Sequence, residues 1–503
     1  MNDLCSVCMN PSSIEDYRRF VRIKALPTYQ IKGRRAQFPP EYAERVGIHV
    51  TGVAPRDYAP ADMLFDYQQA IVQMAIAKRR FAVFADCGLG KTLIFTEFAR
   101  YVLGELSPRK CILIVSPLMV IGQTLSEIVR FYGKHYPPIE QLSASNLQEW
   151  LDDSTGTRSQ IGITNYEALR SGVTRGRLGA LIADESSLFK SAYGRYGQRC
   201  IELGKGLQYK LACTGTPAPN DRIEFANHAV FLDQFPTVNS FLARYFVNRG
   251  QTQERWILKP HAVGPFYRSL SHWCIFLANP ATYGWRDNNT DVIPPIYVHK
   301  HHVELTPEQT DLVTEQTGSL FAYKIGGITN RLSLGLIAKG WHRGKDVPTL
   351  KYDFIKRLVE QWPDESTLIW CLYNREQKYL EDAFPKAASI KGETSHETRM
   401  EMIRNFQTGN TKVLISKPKI LGFGLNLQVA TRHVFSGLSD SYESYYQAIK
   451  RSNRIGSTLP LNVHIPMTDI EEPMITNVFR KVKRIQFDTE EQERSFRNAS
   501  IEQ

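Results

Sequence analysis

The sequence predicts an α/β protein of two halves, each a mostly parallel β-sheet with flanking helices, with a helical segment between them. Short apolar runs that end in small or polar residues recur in both halves of the 503-residue chain, and helical patterns lie between most of them. This alternation of strand and helix favours parallel sheets. Functional groups are then expected at the carboxyl ends of the strands.

Shifts in the sequence pattern set the expected domain boundaries. An irregular N-terminal leader with some strand is expected at residues 1–60, and a first α/β lobe at 61–235. A helical, aromatic and basic connecting segment at 236–345 leads to a second lobe at 346–470. A charged helical tail follows at 471–503, and its last dozen residues are expected to fray.

The composition is that of a globular protein with a basic surface. Apolar residues make up 42% of the chain, and the net charge of +11 favours a polyanion such as nucleic acid, although a basic enzyme with scattered charges is an equal alternative. The N-terminus has no apolar signal region, and the longest apolar run is too short to span a bilayer. We therefore expect no membrane partner, no secretion, and a location in the cytoplasm with reduced cysteines.

Two small groups of potential metal ligands are weak signals. Cys5 and Cys8 form a lone CxxC without a second pair at a suitable spacing, so a zinc site is not favoured. His299 and His301 share one face of a predicted strand, with His302 beside them, but an exposed sheet edge explains these histidines equally well.

The first lobe begins with the strongest local signal in the chain. Helical spacing over Leu64 to Arg80 leads into a buried strand at Phe81 to Ala85, a glycine-rich loop and a helix that starts near Lys91. The usual phosphate-loop pattern begins with Gly, whereas this chain has Ala85 there. A strand-turn-helix without a ligand is the alternative interpretation.

The chemistry of this loop suits a nucleoside triphosphate. Gly88 and Gly90 would let backbone N–H groups approach phosphate oxygens, and the helix would direct its positive end at the anion. Lys91 would reach the β- and γ-phosphates, and the Thr92 hydroxyl would bind Mg²⁺. The residues expected to bind nucleotide here are Asp86, Gly88, Leu89, Gly90, Lys91 and Thr92.

Further strands of the first lobe are predicted from apolar runs at 111–117, 161–167, 180–185 and 211–217. The third run ends in Asp184 and Glu185. A strand-end Asp can hold Mg²⁺, and the neighbouring Glu can activate the attacking water in phosphoryl transfer. For the dipeptide alone, a helix N-terminal cap is the favoured alternative.

Aromatic residues dominate the stretch from about 220 to 290, with basic residues between them. Two interpretations compete, an aromatic core or a nucleic-acid face with stacking side chains. We favour the core.

The second lobe repeats the pattern, with strands predicted at 367–373, 411–416, 432–437 and 462–467. In YYQAIKRSNRIG, Arg451 and Arg454 are three apart and are expected to share a helix face. Two guanidinium groups directed at one point suit the γ-phosphate in its transition state, as an arginine finger does. A surface salt-bridge pair is the alternative.

Taken together, these motifs resemble the superfamily-two helicase-type ATPases of the Swi/Snf-like branch, in particular compact members from bacteria and bacteriophages. Tyr67 and Gln68 resemble the adenine-reading Gln motif. The other matching stretches are ADCGLGKT at 85–92, IVSPL at 114–118, ITNYEAL at 163–169, DESS at 184–187, TGTP at 214–217, VELTPEQ at 303–309, GFGLNLQ at 422–428 and QAIKRSNRIG at 447–456.

The resemblance implies two RecA-like lobes, ATP and Mg²⁺ as cofactors, and hydrolysis stimulated by DNA. It places Gly424 and Gln447 at the nucleotide. Contacts with the nucleic-acid backbone are expected from Ser116, Pro117, Thr164, Asn165 and Thr394. Two departures stand out: Ser187 replaces the histidine of the usual DEAH box, and Ser457 stands where the branch often has Gln.

The predicted function is an ATP-dependent motor that moves along double-stranded or branched DNA, in the cytoplasm of a bacterial or phage-infected cell. A strand-separating DNA or RNA helicase is the alternative within the class. A nucleotide-gated binding module with little turnover is the alternative from another class, and Glu185, Arg451 and Arg454 argue against it. No protein partner is predicted.

Overall fold

The computed structural model describes residues 5–26, 29–38, 42–43, 46–48, 58–170, 172–191, 194–250, 255–286, 293–317, 328–421, 427–454 and 456–501. The chain forms two compact units. Unit 1 comprises residues 1–287 and 487–503, and unit 2 comprises residues 288–486. None of the helices in these described ranges combines the length and the apolarity that crossing a membrane requires.

The N-terminal residues fold into a small module of their own within unit 1. Its elements are β1 (Cys5–Cys8), α1 (Ile14–Ala25), β2 (Gln30–Lys32) and β3 (Arg35–Phe38). The strands form an antiparallel sheet in the order β1-β3-β2. The sequence predicted an irregular leader because its short strands and prolines hide this order; the apolar side of α1 packs on the sheet through Phe20 and Ile23.

The main sheet of unit 1 is parallel throughout, in the order β12-β4-β9-β8-β5-β7-β6 among the described residues. Its strands are β4 (Arg80–Ala85), β5 (Cys111–Val115), β6 (Ile139–Gln141), β7 (Ile161–Thr164), β8 (Leu178–Asp184), β9 (Tyr209–Cys213) and β12 (Cys274–Leu277), with a separate hairpin of β10 (Phe246–Asn248) and β11 (Trp256–Leu258). The helices are α2 (Asp66–Lys78), α3 (Lys91–Glu105), α4 (Leu118–Tyr132), α5 (Leu147–Leu151), α6 (Arg195–Gly204), α7 (Phe225–Phe231), α8 (Val238–Tyr245) and α9 (Val263–Trp273). The four strands predicted at 111–117, 161–167, 180–185 and 211–217 are confirmed.

The aromatic stretch forms core, as favoured from the sequence. Its rings cluster around Phe266, which lies 5.5 Å from the Tyr245 ring and 6.0 Å from the Phe225 ring. Phe225 in turn packs against Phe84 of β4 at 6.0 Å. The buried aromatic residues that this stretch contributes to the cluster are Phe225, Phe231, Phe235, Phe241, Tyr245, Phe246, Phe266, Tyr267, Trp273 and Phe276. This stretch therefore completes the core of unit 1 instead of standing apart from it.

Unit 2 holds a second parallel sheet, in the order β13-β20-β19-β16-β18-β17 among the described residues. Its strands are β13 (Ile296–His302), β16 (Thr367–Trp370), β17 (Ala388–Ser389), β18 (Val413–Ser416), β19 (Arg432–Phe435) and β20 (Leu461–Met467), and β14 (Trp341–His342) pairs with β15 (Lys345–Asp346). The helices are α10 (Pro307–Thr317), α11 (Ile328–Ala338), α12 (Lys351–Val359), α13 (Asn374–Ala383), α14 (His396–Gln407), α15 (Pro418–Leu421), α16 (Tyr442–Ile449) and α17 (Glu472–Ile501). The two parallel sheets with flanking helices confirm the predicted fold class.

The division into units differs from the expected boundaries in the connecting segment and in the tail. β12 pairs with β4, and β13 pairs with β20, so residues 236–345 are shared between the two sheets. The last turns of α17 belong to unit 1, where the Gln492 side chain accepts a hydrogen bond from Phe276 N at 3.1 Å and donates one to Cys274 O at 3.2 Å. The expected fraying of the last dozen residues is wrong at Gln492, which is fully buried.

Both small groups of potential metal ligands lie on strands. Cys5 and Cys8 are the end residues of β1. His299 and His301 lie on the edge strand β13, and their rings stack on His464 of β20 at centroid distances of 4.7 and 5.2 Å. Within the described ranges, no group of three or more His, Cys, Asp or Glu side chains could hold a metal ion.

A buried ion cluster holds the helices of unit 2 on their sheet. Glu471 binds Lys339 Nζ at 3.0 Å and Lys351 Nζ at 2.5 Å, and all three side chains are buried. Burial disfavours the charged carboxylate, but the two ammonium groups outweigh it and lower the pKa of Glu471 to about 2. Burial lowers the pKa of Lys351, whereas the charges of Glu471 and Glu376 outweigh burial at Lys339 and raise its pKa.

We expect Lys351→Met to destabilise unit 2 by about 3–5 kcal/mol, because it breaks a buried pair and leaves Glu471 undercompensated. Hydrogen exchange of the β16 amides in the full-length protein measures this loss. Lys391→Met is the matched control; it removes a partly exposed partner of Glu381 and should cost at most about 1 kcal/mol. Equal losses in the two variants would show that the cluster does not stabilise unit 2. In the wild-type chain, the contribution of Glu471 should persist above about pH 4.5 and disappear as the pH falls towards 2.

Candidate nucleotide-binding site

The predicted site residues of unit 1 follow four adjacent strands. β4, β9, β8 and β5 are neighbours in the parallel sheet, so their carboxyl ends lie along one edge. The glycine-rich loop follows β4, Thr214 follows β9, Glu185 follows β8 and Ser116 follows β5. This is the edge at which ligands bind in open α/β sheets.

The loop between β4 and α3 depends on its glycines. Gly88 has φ +90° and Gly90 has φ +73°, a region that residues with a Cβ rarely adopt. A Cβ at Gly90 would also lie 2.2 Å from Gln68 Nε2, so no larger residue fits without moving that side chain. The helix α3 begins at Lys91, as predicted, and its first N–H groups are free to face the loop.

Lys91 lies in a field of negative groups. Its ammonium donates to the carbonyl oxygens of Ala85 at 3.1 Å and Asp86 at 3.4 Å. Burial favours the neutral amine, but the charges of Cys87, Glu185 and their acidic neighbours outweigh burial and raise the pKa of Lys91. The side chain is therefore cationic at neutral pH and close to the acidic pair.

The residues of the predicted Gln motif are hydrogen-bonded to the loop. Tyr67 Oη donates to Leu89 O at 3.1 Å, and Gln68 Nε2 donates to the same oxygen at 3.4 Å. Gln68 Oε1 accepts from Phe65 N at 3.0 Å, just before α2 begins. Both side chains are buried, so they fix the loop against α2.

Asp184 is a buried carboxylate at the end of β8. Its Oδ2 accepts from Ser116 Oγ at 2.8 Å, and its backbone oxygen accepts from Tyr166 Oη at 2.6 Å. Burial and the charge of Glu185 raise the pKa of Asp184 to about 7, while the Ser116 hydroxyl and Lys91 act in the opposite direction. The carboxylate thus lacks enough positive charge around it.

Glu185 stands in a strained backbone conformation. Its φ of +48° and ψ of +49° are left-handed, which is uncommon for a residue other than Gly, Asn or Asp. Thr214 Oγ1 donates to Glu185 Oε2 at 3.2 Å, and Glu185 N donates to Asp184 Oδ1 at 3.0 Å. The first contact holds the Glu185 carboxylate at the edge of the sheet, and the second ties the Glu185 backbone to Asp184.

These residues fit a triphosphate with a divalent cation. The loop offers glycines, the Lys91 ammonium and the start of a helix to an anion. The neighbouring carboxylates of Asp184 and Glu185 favour a cation, since one of them is otherwise pushed toward its neutral form. Thr92, in the first turn of α3, carries the hydroxyl that could join Asp184 in holding it.

Two of the predicted nucleic-acid contacts of unit 1 have to be corrected. Ser116 and Thr164 are fully buried at the ends of β5 and β7. The Ser116 hydroxyl bonds Asp184, and Thr164 Oγ1 donates to Leu142 O at 2.9 Å, so neither is presented to a polymer. Pro117 precedes α4, and Asn165 accepts from Ala168 N at 2.8 Å; both are partly exposed.

The predicted helix face for Arg451 and Arg454 in unit 2 is wrong. Helix α16 ends at Ile449, and both arginines lie in the turn that follows. Arg451 is buried at 8% exposure, whereas Arg454 is partly exposed. The sequence suggested a longer helix because its polar pattern continues past Ile449.

Buried side chains fix this turn. Ser452 Oγ donates to Leu427 O at 2.8 Å, and Asn453 Nδ2 donates to Pro294 O at 2.7 Å. Ser457 Oγ donates to Ser452 O at 2.5 Å and accepts from Arg454 N at 3.2 Å. Ser457, at the position of a family departure, therefore closes the turn that presents Arg454.

The remaining predicted residues of unit 2 are more weakly defined. Gln447 is partly exposed on α16. Thr394 Oγ1 accepts from Lys391 N at 2.9 Å and is partly exposed. Gly424 lies outside the described residues.

The structure adds positioning residues that the sequence left without a role. Thr214 opens the TGTP motif, and its place after β9 beside β8 could have indicated a partner for Glu185. Ser187, which replaces the usual histidine, is buried beside Glu185 O at 3.5 Å. The neighbouring Ser186 instead contacts a histidine, His228 Nε2, at 3.0 Å, and burial lowers the pKa of His228 to about 4.

A glycine-rich loop after β4, an acidic pair at the end of β8 and a second parallel-sheet unit are the features expected of a helicase-type ATPase. Sequence comparison agrees with this class. The SNF2-related domain family matches residues 67–324, and the helicase conserved C-terminal domain family matches residues 350–456. Because the first match covers more than half of the chain, the chain belongs to the SNF2-related family.

Individual relatives are distant. Protein p41 of Acyrthosiphon pisum secondary endosymbiont phage 1 is 23% identical in an alignment 431 residues long, which covers 79% of this chain and 91% of that protein. The Sulfolobus solfataricus SWI2/SNF2 ATPase core in complex with dsDNA matches at 19% identity with a TM-score of 0.39, over 84% of this chain and 92% of its own. The Pyrococcus furiosus Hef helicase domain matches at 14% identity with a TM-score of 0.49, over 82% of this chain and 98% of its own. The family assignment rests on the sequence matches alone.

Proposed function

We propose that this protein is an ATP-driven motor that moves along double-stranded DNA. The observation that carries the proposal is the group of Lys91, Asp184, Glu185 and Thr214 at one edge of the unit 1 sheet. Metal, charge clamp and oriented water are the parts that phosphoryl transfer requires. The net charge of +11 supports a polyanionic track.

In this proposal, unit 1 binds and activates the nucleotide. The loop from Asp86 to Gly90 and the Lys91 ammonium hold the phosphates, while Thr92 and Asp184 hold Mg²⁺. The bound cation would neutralise charge that develops on the phosphate oxygens. Glu185, fixed by Thr214, orients the attacking water and accepts its proton.

Unit 2 supplies the positive charge that the transition state needs. Arg454 is the proposed arginine finger, because it is partly exposed on a turn that buried residues fix. Arg451 is buried, and we assign it a structural role in the same turn. Gln447 and Gly424 remain proposed nucleotide contacts. A finger on a different unit from the phosphate loop would make hydrolysis depend on lobe closure, and repeated closure would become stepping.

The proposed track is the sugar-phosphate backbone, which fixes position without reading sequence. Pro117 and Asn165 in unit 1 and Thr394 in unit 2 remain proposed contacts because they are partly exposed. Ser116 is instead proposed to orient Asp184, because its hydroxyl donates a hydrogen bond to the Asp184 carboxylate.

We expect DNA to stimulate ATP hydrolysis, and DNA binding to weaken steeply with salt. If about six phosphates are contacted, the affinity should fall on the order of a thousandfold between 50 and 200 mM salt. Steady-state ATPase rates with and without duplex DNA, and a salt titration of binding, test this. Equal rates with and without nucleic acid, or a flat salt dependence, would exclude DNA as the partner.

A strand-separating DNA or RNA helicase is the second candidate, since the same ATPase core could drive it. A strand-displacement assay on a tailed duplex distinguishes the two: we expect ATP hydrolysis without strand separation. A nucleotide-gated binding module is disfavoured because Thr214 fixes the Glu185 carboxylate, a contact that slow turnover would not require.

A further inference from the structure

The N-terminal module concentrates the positive charge of the chain. Between Cys5 and Phe38 there are seven Lys or Arg residues and two acidic residues, a net charge of +5, whereas the whole chain carries +11. Both acidic residues are already used, because Arg19 binds Glu15 at 3.2 Å and Asp16 at 3.1 Å. The other six basic residues are exposed, and none of them forms an ion pair within the described residues; they are Arg18, Arg22, Lys24, Lys32, Arg34 and Arg35.

The outer face of the module's sheet is polar and basic. The inner face is covered by α1, since Phe20 and Ile23 pack with Ala36 and Phe38. Strand alternation therefore directs the other side chains outward. In the register, Ser6, Gln37 and Gln30 form one cross-strand row, and Cys8, Arg35 and Lys32 form the next.

Lys32 and Arg35 lie directly opposite each other, and Arg34 is in the tight turn between them. Like charges in direct cross-strand pairs destabilise a sheet. Gly33 at φ +58° makes the turn possible, and a Cβ there would meet nothing within 4 Å, so the tip is open to solvent. The repulsion between these charges does not stabilise the fold, whereas a bound polyanion would neutralise it.

The module is attached firmly to the rest of unit 1. The Arg244 guanidinium of α8 donates to Tyr29 O at 3.1 Å and lies 5.0 Å from the centre of the Tyr29 ring. Tyr42, just after the module, hydrogen-bonds His272 of α9. DNA held on the module would therefore be coupled mechanically to unit 1.

We propose that the outer face of this sheet, with Lys32, Arg34 and Arg35 at its hairpin tip, is a second DNA-binding surface that grips the phosphate backbone of a duplex. The inference rests on DNA as the partner in the proposed function. Duplex fits better than single-stranded DNA because the described residues of this face include no aromatic ring on which a base could stack. Gln30, Gln37 and Ser6 add neutral donors for phosphate oxygens.

The test measures DNA binding by the full-length protein in the absence of nucleotide. Binding is detected as the fluorescence anisotropy of a short labelled duplex, at salt concentrations from 50 to 200 mM. In Lys32→Ala/Arg34→Ala/Arg35→Ala, loss of about three phosphate contacts should reduce the slope of log K against log salt by about 2.7, and the affinity near 100 mM on the order of a hundredfold. The matched control is Arg18→Ala/Arg22→Ala/Lys24→Ala, which removes the same charge from α1, on the opposite side of the module. Its slope should stay close to that of the wild type.

Equal losses of DNA affinity in the two triple variants would overturn the proposal, because such losses would reflect the overall charge of the protein. An unchanged slope in the hairpin variant would also overturn it. A loss confined to single-stranded DNA of the same sequence would overturn the duplex assignment. ATPase rates are measured in parallel: the hairpin variant should need more DNA for half-maximal stimulation but reach the wild-type maximum. If DNA does not stimulate even the wild type while the hairpin variant loses its slope, the proposed motor fails and the binding surface stands.

Discussion

Glu185→Gln should reduce ATP hydrolysis on the order of 10² to 10⁴-fold while leaving ATP binding intact. The substitution keeps the shape of the side chain and its contact with Thr214 but removes the carboxylate that would take a proton from water. Single-turnover hydrolysis and equilibrium binding of a fluorescent ATP analogue separate the two effects.

The matched control is Glu202→Gln, the same change on an exposed residue of α6 in unit 1. It should leave hydrolysis unchanged. Lys91→Ala should also abolish turnover but, unlike Glu185→Gln, should weaken ATP binding, since it removes a charge that would bind phosphates. Near-normal turnover in Glu185→Gln would show that the acidic pair is not the hydrolytic site.

Arg454→Ala should lose on the order of 10³ to 10⁵ in DNA-stimulated hydrolysis, the usual effect of removing an arginine finger. ATP binding, DNA binding and the melting temperature should stay close to those of the wild type, because the side chain is partly exposed. Stopped-flow ATPase rates and a thermal melt of the same preparation test both parts.

Lys450→Ala, four residues earlier and also a cation, is the control and should be close to the wild type. Arg451→Ala is a less specific test of catalysis, because Arg451 is buried and the substitution also removes packing contacts. An Arg454→Ala protein that melts early but keeps its turnover per folded molecule would make Arg454 a structural residue and remove the finger from the mechanism.

The features that the sequence predicted well are local. The predicted strand, glycine-rich turn and helix at 80–105 are contiguous in the chain, so neighbouring residues determine their geometry directly. The acidic pair was found for the same reason, since Asp184 ends a strongly apolar strand.

The features that the sequence left unpredicted depend on contacts between distant residues. Nothing in the sequence distinguishes Lys339, Lys351 and Glu471 from surface charges, and only the fold brings them together in the interior. Gln492 gave no signal either, because its partner is the backbone of a strand more than two hundred residues earlier. Neither contact has a periodic pattern in the sequence.

Errors arose where a local rule was extended too far. Spacing of three residues places two arginines on one helix face only while the helix lasts, and α16 ends at Ile449. The motif around Ser116 suggested a nucleic-acid contact. Ser116 instead follows β5, which is next to β8, and its hydroxyl donates a hydrogen bond to Asp184.

The most direct test of the central claim is triplex displacement, in which a motor that moves along duplex DNA removes a third strand from its path. We expect the wild-type protein to release the third strand only with ATP and Mg²⁺, and Glu185→Gln and Arg454→Ala to release none. DNA-stimulated ATP hydrolysis by the wild type without any release of the third strand would contradict the claim that hydrolysis drives movement along the duplex.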